Sequence, residues 1–247
     1  MLPKNAKMTR PDYLKALPAL ERPITVRIKF VKVGDLQYIS HLDLQRAFNR
    51  ILVRSGLPVW YSKGFNPHVK LVFSTPLSVG TQSVCEFLDL RLDRELPCEE
   101  IKRLLNAELT DQMYVEDVYI PTSAFSDIAF CEYDYEISTQ EASAELAGEI
   151  QTMLTTSPVN LIKKTKSGER EIDIVDMIKS VNVEYSEDTK TIKMHAVLSA
   201  GAENFLNPEM LMTAIKGRFG ILTEDLASGW YTIMRVASLT KDMKIFR

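Results

Sequence analysis

The chain has 247 residues, of which 45% are hydrophobic and 26% charged, and its formal net charge is −3. That balance is ordinary for a folded chain in water. No apolar run reaches the roughly 18 residues a membrane helix needs. The N-terminal segment through Pro23 lacks an apolar stretch followed by a small-residue cleavage site, and no secretory signal is expected. Cytoplasmic residence is therefore the expectation.

Residues 1–22 carry Pro3, Pro11 and Pro18 among scattered charges and read as an N-terminal tail with a short helix near Asp12–Leu17. "ITVRIKFVKVG" then alternates Ile24, Val26, Ile28 and Phe30 with Thr25, Arg27 and Lys29, the period of a half-buried strand. Gly34–Asp35 marks a turn, and "LQYIS" reads as a short returning strand or extended segment. A helix follows. Ser40 and Asp43 have capping-box spacing, Leu44, Phe48, Ile51 and Leu52 share a face, and Gly56 and Pro58 end the run. "VWYS" is expected as a strand, "KGFNPH" as a loop, and "VKLVFSTPLSVG" and "VCEFLDLRLD" as further strands. Pro97 opens a second helix with Glu99 and Glu100 in its first turn, where carboxylates complement the helix dipole, and "MYVEDVYIP" closes with a strand.

A second pass begins near Ile128, after the turn-rich "PTSAFSD". "AFCEYDYEIS" reads as a strand and "QEASAELAGEIQTMLT" as a helix. "VNLIKKTKSGEREIDI" is a strand entering a Lys-rich turn, and a hairpin is expected around Ser186–Lys190. Asn207 and Pro208 start a helix, and "WYTIMRVASL" closes as a strand. Each half thus shows the order β–α–β–β–α–β. The expected fold is α+β: two tandem ferredoxin-like (βαββαβ) domains, antiparallel sheets with helices on one face. The expected divisions are a tail at 1–22, a first domain at 23–122 and a second at 128–247.

The three cysteines, Cys85, Cys98 and Cys131, are too scattered for a short-spaced metal or iron–sulfur motif and too few for a disulfide framework. Buried free thiols are expected, with no cofactor and no metal. Net charge is unevenly spread. Residues 25–70 hold eight Lys and Arg against two acids, whereas residues 71–160 hold four against seventeen. The basic window is the place to look for an anionic ligand, and the acidic stretch suits a basic protein partner.

The run "GDLQYISHLDLQRAFNRILVRSGLPVWYSKGFNPHVKLVFSTPLSVG" through "EFLDL" resembles the radical-SAM-linked family also known as DUF2344. The likeness is dense over residues 27–92 and returns in "KKTKSGEREIDI". Lys63 and Val69 depart from the family pattern, which has Gln and Pro there. The resemblance implies a chain that stands beside or behind a radical SAM enzyme. This chain lacks the closely spaced cysteines that would hold the enzyme's [4Fe–4S] cluster, so the role implied is that of the accessory half.

Two stretches concentrate candidate ligand-binding groups. Around the helix start lie Ser40, His41, Asp43, Arg46 and Arg50; in the loop lie Tyr61, Lys63, Phe65, Asn66, His68 and Lys70. His41 reads as a first-turn helix residue or as a neutral imidazole beside an anion site at the helix N-terminus. The loop reads as a rigid turn with Phe65 tucked inward, or as a surface on which a base could stack. Arg46, Arg50 and Arg54 form either a solvated stripe or a row following phosphates. Lys163, Lys164, Lys166 and Arg170 read as a solvated hairpin tip, His195 as a satisfied half-buried strand residue, and Glu224–Asp225 as partners of a helix dipole.

Three functions follow from these readings. The first is a non-catalytic module that binds RNA, or an RNA–protein substrate, for a radical SAM protein. The second is a protein-only scaffold for that enzyme. The third is a metal-independent RNA-processing nuclease with His41 and His68 as its acid and base.

Overall fold

The computed structural model describes residues 12–156, 158–165, 168–223 and 228–247. It is a mixed α+β structure whose strands pair mostly antiparallel. The chain divides into two units. One comprises the described residues up to Val79, with Val84–Thr122 and Arg247; the other comprises Gly80–Ser83 and Ser123–Phe246.

In the first unit the elements run α1 (Asp12–Ala16), β1 (Ile24–Lys32), α2 (His41–Ser55), β2 (Leu71–Phe73), β3 (Thr81–Leu92), α3 (Cys98–Asn106) and β4 (Met113–Tyr119). β4 lies beside β1, β1 beside β3, and β2 on the far side of β3. The period-two run of β1 sets the core, because Val26, Ile28 and Phe30 all point the same way. They pack with Leu44, Phe48, Ile51 and Leu52 of α2, Leu88, Leu90 and Leu92 of β3, and Ile101, Leu104 and Leu105 of α3. The segment read as a tail contributes α1, whose Leu14 is wholly buried in this core.

α2 begins and ends where its local chemistry directs. The Ser40 hydroxyl accepts the Asp43 backbone N–H at 3.2 Å, and Gly56 closes the helix in the left-handed conformation at φ 69°. Two local expectations are corrected. "LQYIS" is not a strand: Gly34–Tyr38 is a 3-10 helix. The Gly34–Asp35 turn continues into it instead of reversing the chain. "VWYS" is not a strand either. Val59 pairs singly with Leu92 and Tyr61 with Val69, because the loop between 62 and 68 leaves no neighbour long enough for a ladder.

The second unit contains β5 (Ile128–Thr139), α4 (Ala144–Thr155), β6 (Asn160–Thr165), β7 (Gly168–Asp173), β8 (Ile178–Ser186), β9 (Thr191–Ser199), α5 (Glu209–Phe219) and β10 (Gly229–Thr240). Its sheet runs β10-β5-β9-β8, antiparallel throughout, with Thr81–Ser83 lying parallel beside Ile233–Arg235. Beyond the expected element order, β6 and β7 form a separate hairpin inserted after α4. The helix expected from Asn207–Pro208 begins at Glu209, with Pro208 as its N-cap and Asn207 Oδ1 accepting the Glu209 N–H at 3.1 Å. Gly229 sits at φ 131°, and a Cβ there would come within 2.0 Å of the Ser138 carbonyl, so β10 can begin against β5 only with glycine. Lys166 and Glu224–Asp225 lie outside the described residues, as do the side chains of Lys163, Lys164 and Arg170.

Candidate functional site

The sequence candidates fall into two groups, both in the first unit. The first group is the start of α2. The Ser40 hydroxyl donates to Asp43 Oδ2 at 2.7 Å, and Arg46 pairs with Asp43 Oδ1 at 3.1 Å. The Ser40 hydroxyl and the Arg46 guanidinium together hold the exposed Asp43 carboxyl below the ordinary carboxylate range. His41 is exposed, its Nε2 accepts from the Gln45 side chain at 3.1 Å, and its ring meets Phe73 edge-on at 5.1 Å. Phe73 in turn packs on Phe30 and Phe48, so His41 caps an aromatic cluster.

Two charged residues that sequence reasoning passed over lie next to His41. Lys32 is 2% exposed and Glu86 is 4% exposed, and both line a void of about 10 Å³ with Ser40, His41, Phe73 and Thr75. The void has room for at most one water. Lys32 Nζ donates to the Leu36 carbonyl at 3.1 Å. The signal was present in the strand period. Lys32 continues the inward row of Ile28 and Phe30, and Glu86 continues that of Leu88 and Leu90.

The second group is the loop from Tyr61 to Lys70. Ser62 and His68 fasten its base. The His68 N–H donates to Ser62 Oγ at 3.0 Å, and the Ser62 N–H donates to the His68 carbonyl at 2.9 Å. His68 Nδ1 faces Ser62 Oγ at 3.0 Å and the Asn66 carbonyl at 3.3 Å. Beyond this clasp Tyr61, Lys63, Asn66, His68 and Lys70 are exposed. Phe65 does not tuck inward and is fully exposed, at 108%.

Among the described residues no hydrogen bond or ring contact joins His41 to His68. From His68 to the Phe73 that touches His41, an extended run spans about 16 Å. The arginine stripe divides. Arg54 is held at 2.7 Å by Glu108, which follows the C-cap of α3 and lies 54 residues away, and Arg46 by Asp43. Arg50 has no ion-pair or hydrogen-bond partner among the described residues.

In the second unit the His195 side chain is 46% exposed on β9, and its Nδ1 meets Asp134 Oδ1 at 2.7 Å. It sits on the open face of the sheet in a concavity of about 450 Å³ with Glu136, Asn182, Glu184, Lys193 and Met234. Three carboxylates there disfavour a phosphate backbone. Cys85 and Cys131 are buried free thiols and Cys98 is half-buried. No group of three potential metal ligands occurs among the described residues, and none of their helices is long and apolar enough to cross a membrane.

Residues 25–208 match DUF2344, a family described as an uncharacterized protein conserved in bacteria, and the chain belongs to that family. No curated protein sequence matches it. Among solved structures, an unknown protein from Galdieria sulphuraria is 11% identical, with a TM-score of 0.26 over 87% of this chain and 100% of that one. A variant of DypB from Rhodococcus jostii RHA1 in complex with heme is 11% identical, with a TM-score of 0.20 over 83% of this chain and 86% of that one. Overlap at this level does not define a shared fold.

Proposed function

We propose that this chain is a non-catalytic accessory protein that binds RNA, or an RNA–protein substrate, through its first unit and works with a radical SAM enzyme. The observation that carries the reading is the loop Tyr61–Lys70. A fully exposed Phe65 stands among Lys63, His68 and Lys70 with no acid in the loop, on a base clasped by Ser62 and His68. An exposed aromatic offers a face on which a base can stack, and the neighbouring cations suit a nucleic acid strand. Arg50 adds an unpaired charge on α2. We further read each unit as ferredoxin-like. The orders β4-β1-β3-β2 and β10-β5-β9-β8, with a helix before the second and fourth sheet strands of each unit, support this. The enzyme partner rests on the family resemblance.

A protein-only scaffold is the second reading, and the acidic sheet face of Asp134, Glu136 and Glu184 favours it over RNA on that side. The nuclease reading has no hydrogen bond or ring contact between His41 and His68 to support it among the described residues.

Fluorescence anisotropy with a labelled single-stranded RNA across a salt series tests the RNA reading. Binding should weaken steeply with salt. Phe65→Ala should cost about 1–3 kcal/mol of affinity, the usual worth of one stacked base. Affinity no greater than that of an acidic control protein would overturn it.

A further inference from the structure

A groove of about 1140 Å³ among the described residues of the second unit is lined by α4, by α5 and by Pro158–Leu161. Its α4 wall presents Glu145 and Glu149, one turn apart and both exposed. Neither has an ion-pair or hydrogen-bond partner among the described residues. Two helix-interior glycines, Gly148 of α4 and Gly217 of α5, also line the groove. Nothing lies within 4 Å of a Cβ built on either. Glycine weakens an exposed helix, and here no neighbour within the unit requires it. Its effect is to let an outside surface come close to both helices. Half-buried Met153, Val159, Leu161 and Phe219 supply apolar footing.

The complementary surface is on the same chain. α2 carries Leu42, Arg46, Asn49, Arg50 and Val53 on one stripe at helical spacing, all exposed. Leu42 is 53% exposed and Val53 59%, large apolar side chains bracketing two arginines that are one turn apart. Arg46 is committed only to Asp43 across an exposed i, i+3 pair, and Arg50 to nothing. α2 spans about 22 Å and α4 about 18 Å. Arg46 and Arg50 therefore match Glu145 and Glu149 of the α4 wall in sign and spacing, and with Arg218 on the α5 wall the groove lining keeps a net charge of −1.

We propose that a second copy of this chain occupies the groove, with its α2 laid between α4 and α5, its two arginines against Glu145 and Glu149, and Leu42 and Val53 over the apolar footing. The two surfaces differ, so the contact either repeats reciprocally in a two-fold pair or, used once per copy, closes as a ring or propagates. It is independent of the RNA reading. Because Arg50 would serve both, RNA and the second copy compete for α2.

Sedimentation of the purified chain between about 1 μM and 1 mM is the test. The wild type should self-associate with rising concentration, and less so at high salt. Glu145→Lys/Glu149→Lys and Arg46→Glu/Arg50→Glu should each sediment as single copies, with melting temperatures like that of the wild type. Mixed, the two variants present opposite charges across both contacts and should associate again. The groove variant should still bind the labelled RNA, which separates this proposal from the RNA reading. A wild type that stays single throughout, a groove variant that assembles like the wild type, or a mixture that fails to reassociate would each overturn it.

Discussion

Ser62 and His68 hold each other by backbone and side chain at once, with the His68 N–H on Ser62 Oγ at 3.0 Å and the Ser62 N–H on the His68 carbonyl at 2.9 Å. Between them the chain makes an exposed excursion, Lys63 to Pro67, without regular structure. A loop clasped in this way gives up less entropy when a ligand settles on it.

Ser62→Ala removes the acceptor but keeps the backbone bond. Its cost is expected to be about 1 kcal/mol, and most of it should appear as roughly five-fold weaker RNA binding, with little change in global unfolding. Hydrogen exchange should show faster exchange at the His68 amide. Unchanged affinity with a loosened loop would separate the clasp from binding.

The stripe on α2 gives a discriminating pair. Arg50→Ala should lower the slope of log K against log salt by about 0.7–0.9, as expected for one lost phosphate contact, and leave stability alone. Arg54→Ala breaks a half-exposed pair with Glu108. It should cost no more than about 1 kcal/mol of stability and leave the slope intact. Equal slopes for both variants would remove α2 from the RNA surface.

Arg27 is buried on β1 and meets Asp89 of β3 twice, at 2.7 and 2.9 Å. Asp89→Ala strands part of that charge, and urea unfolding should show a loss of about 3–5 kcal/mol. Asp89→Asn, which keeps an acceptor, should lose less. If the alanine variant is as stable as the wild type, the pair contributes nothing to holding β1 on β3.

Glu100 sits between Arg103, which donates at 2.7 Å through both Nε and Nη2, and the Tyr13 hydroxyl of α1. The Arg103 guanidinium foremost, and then Tyr13, pull its carboxyl down from 4.5 to about 2. A carboxyl depressed in the folded state stabilises fully above its ordinary value, and that contribution fades as pH falls from about 4.5 toward 2. Tyr13→Phe should raise the Glu100 midpoint measured by carbon NMR, though not fully to 4.5. An unmoved midpoint would mean that α1 does not report on Glu100 in solution.

Gly148→Ala should raise stability by about 0.5–1 kcal/mol, since an exposed helix interior favours alanine and no neighbour opposes the methyl group. The same change should weaken self-association in sedimentation. A destabilised variant would mean that the glycine serves its own helix.

The sequence by itself determined what depends on neighbours a few residues away. The inward row of Val26, Ile28 and Phe30, the Ser40 cap, the Gly56 stop and the apolar face of α2 all follow from strand and helix periods and short-range hydrogen bonds. The crowding of Tyr61, Lys63, Phe65 and His68 around a Gly and an Asn-Pro was legible in the same way. Only the tertiary structure decided which charges were spent. Arg54 lost its freedom to Glu108, Arg27 to Asp89 and His195 to Asp134, partners 54 to 62 residues away. Arg50, one turn from Arg54 and written in the same pattern, kept its freedom. Periodicity assigns a side chain to a face, but the order of strands and the packing of helices choose what that face meets. That choice leaves Phe65 in water and draws Lys32 and Glu86 beneath His41.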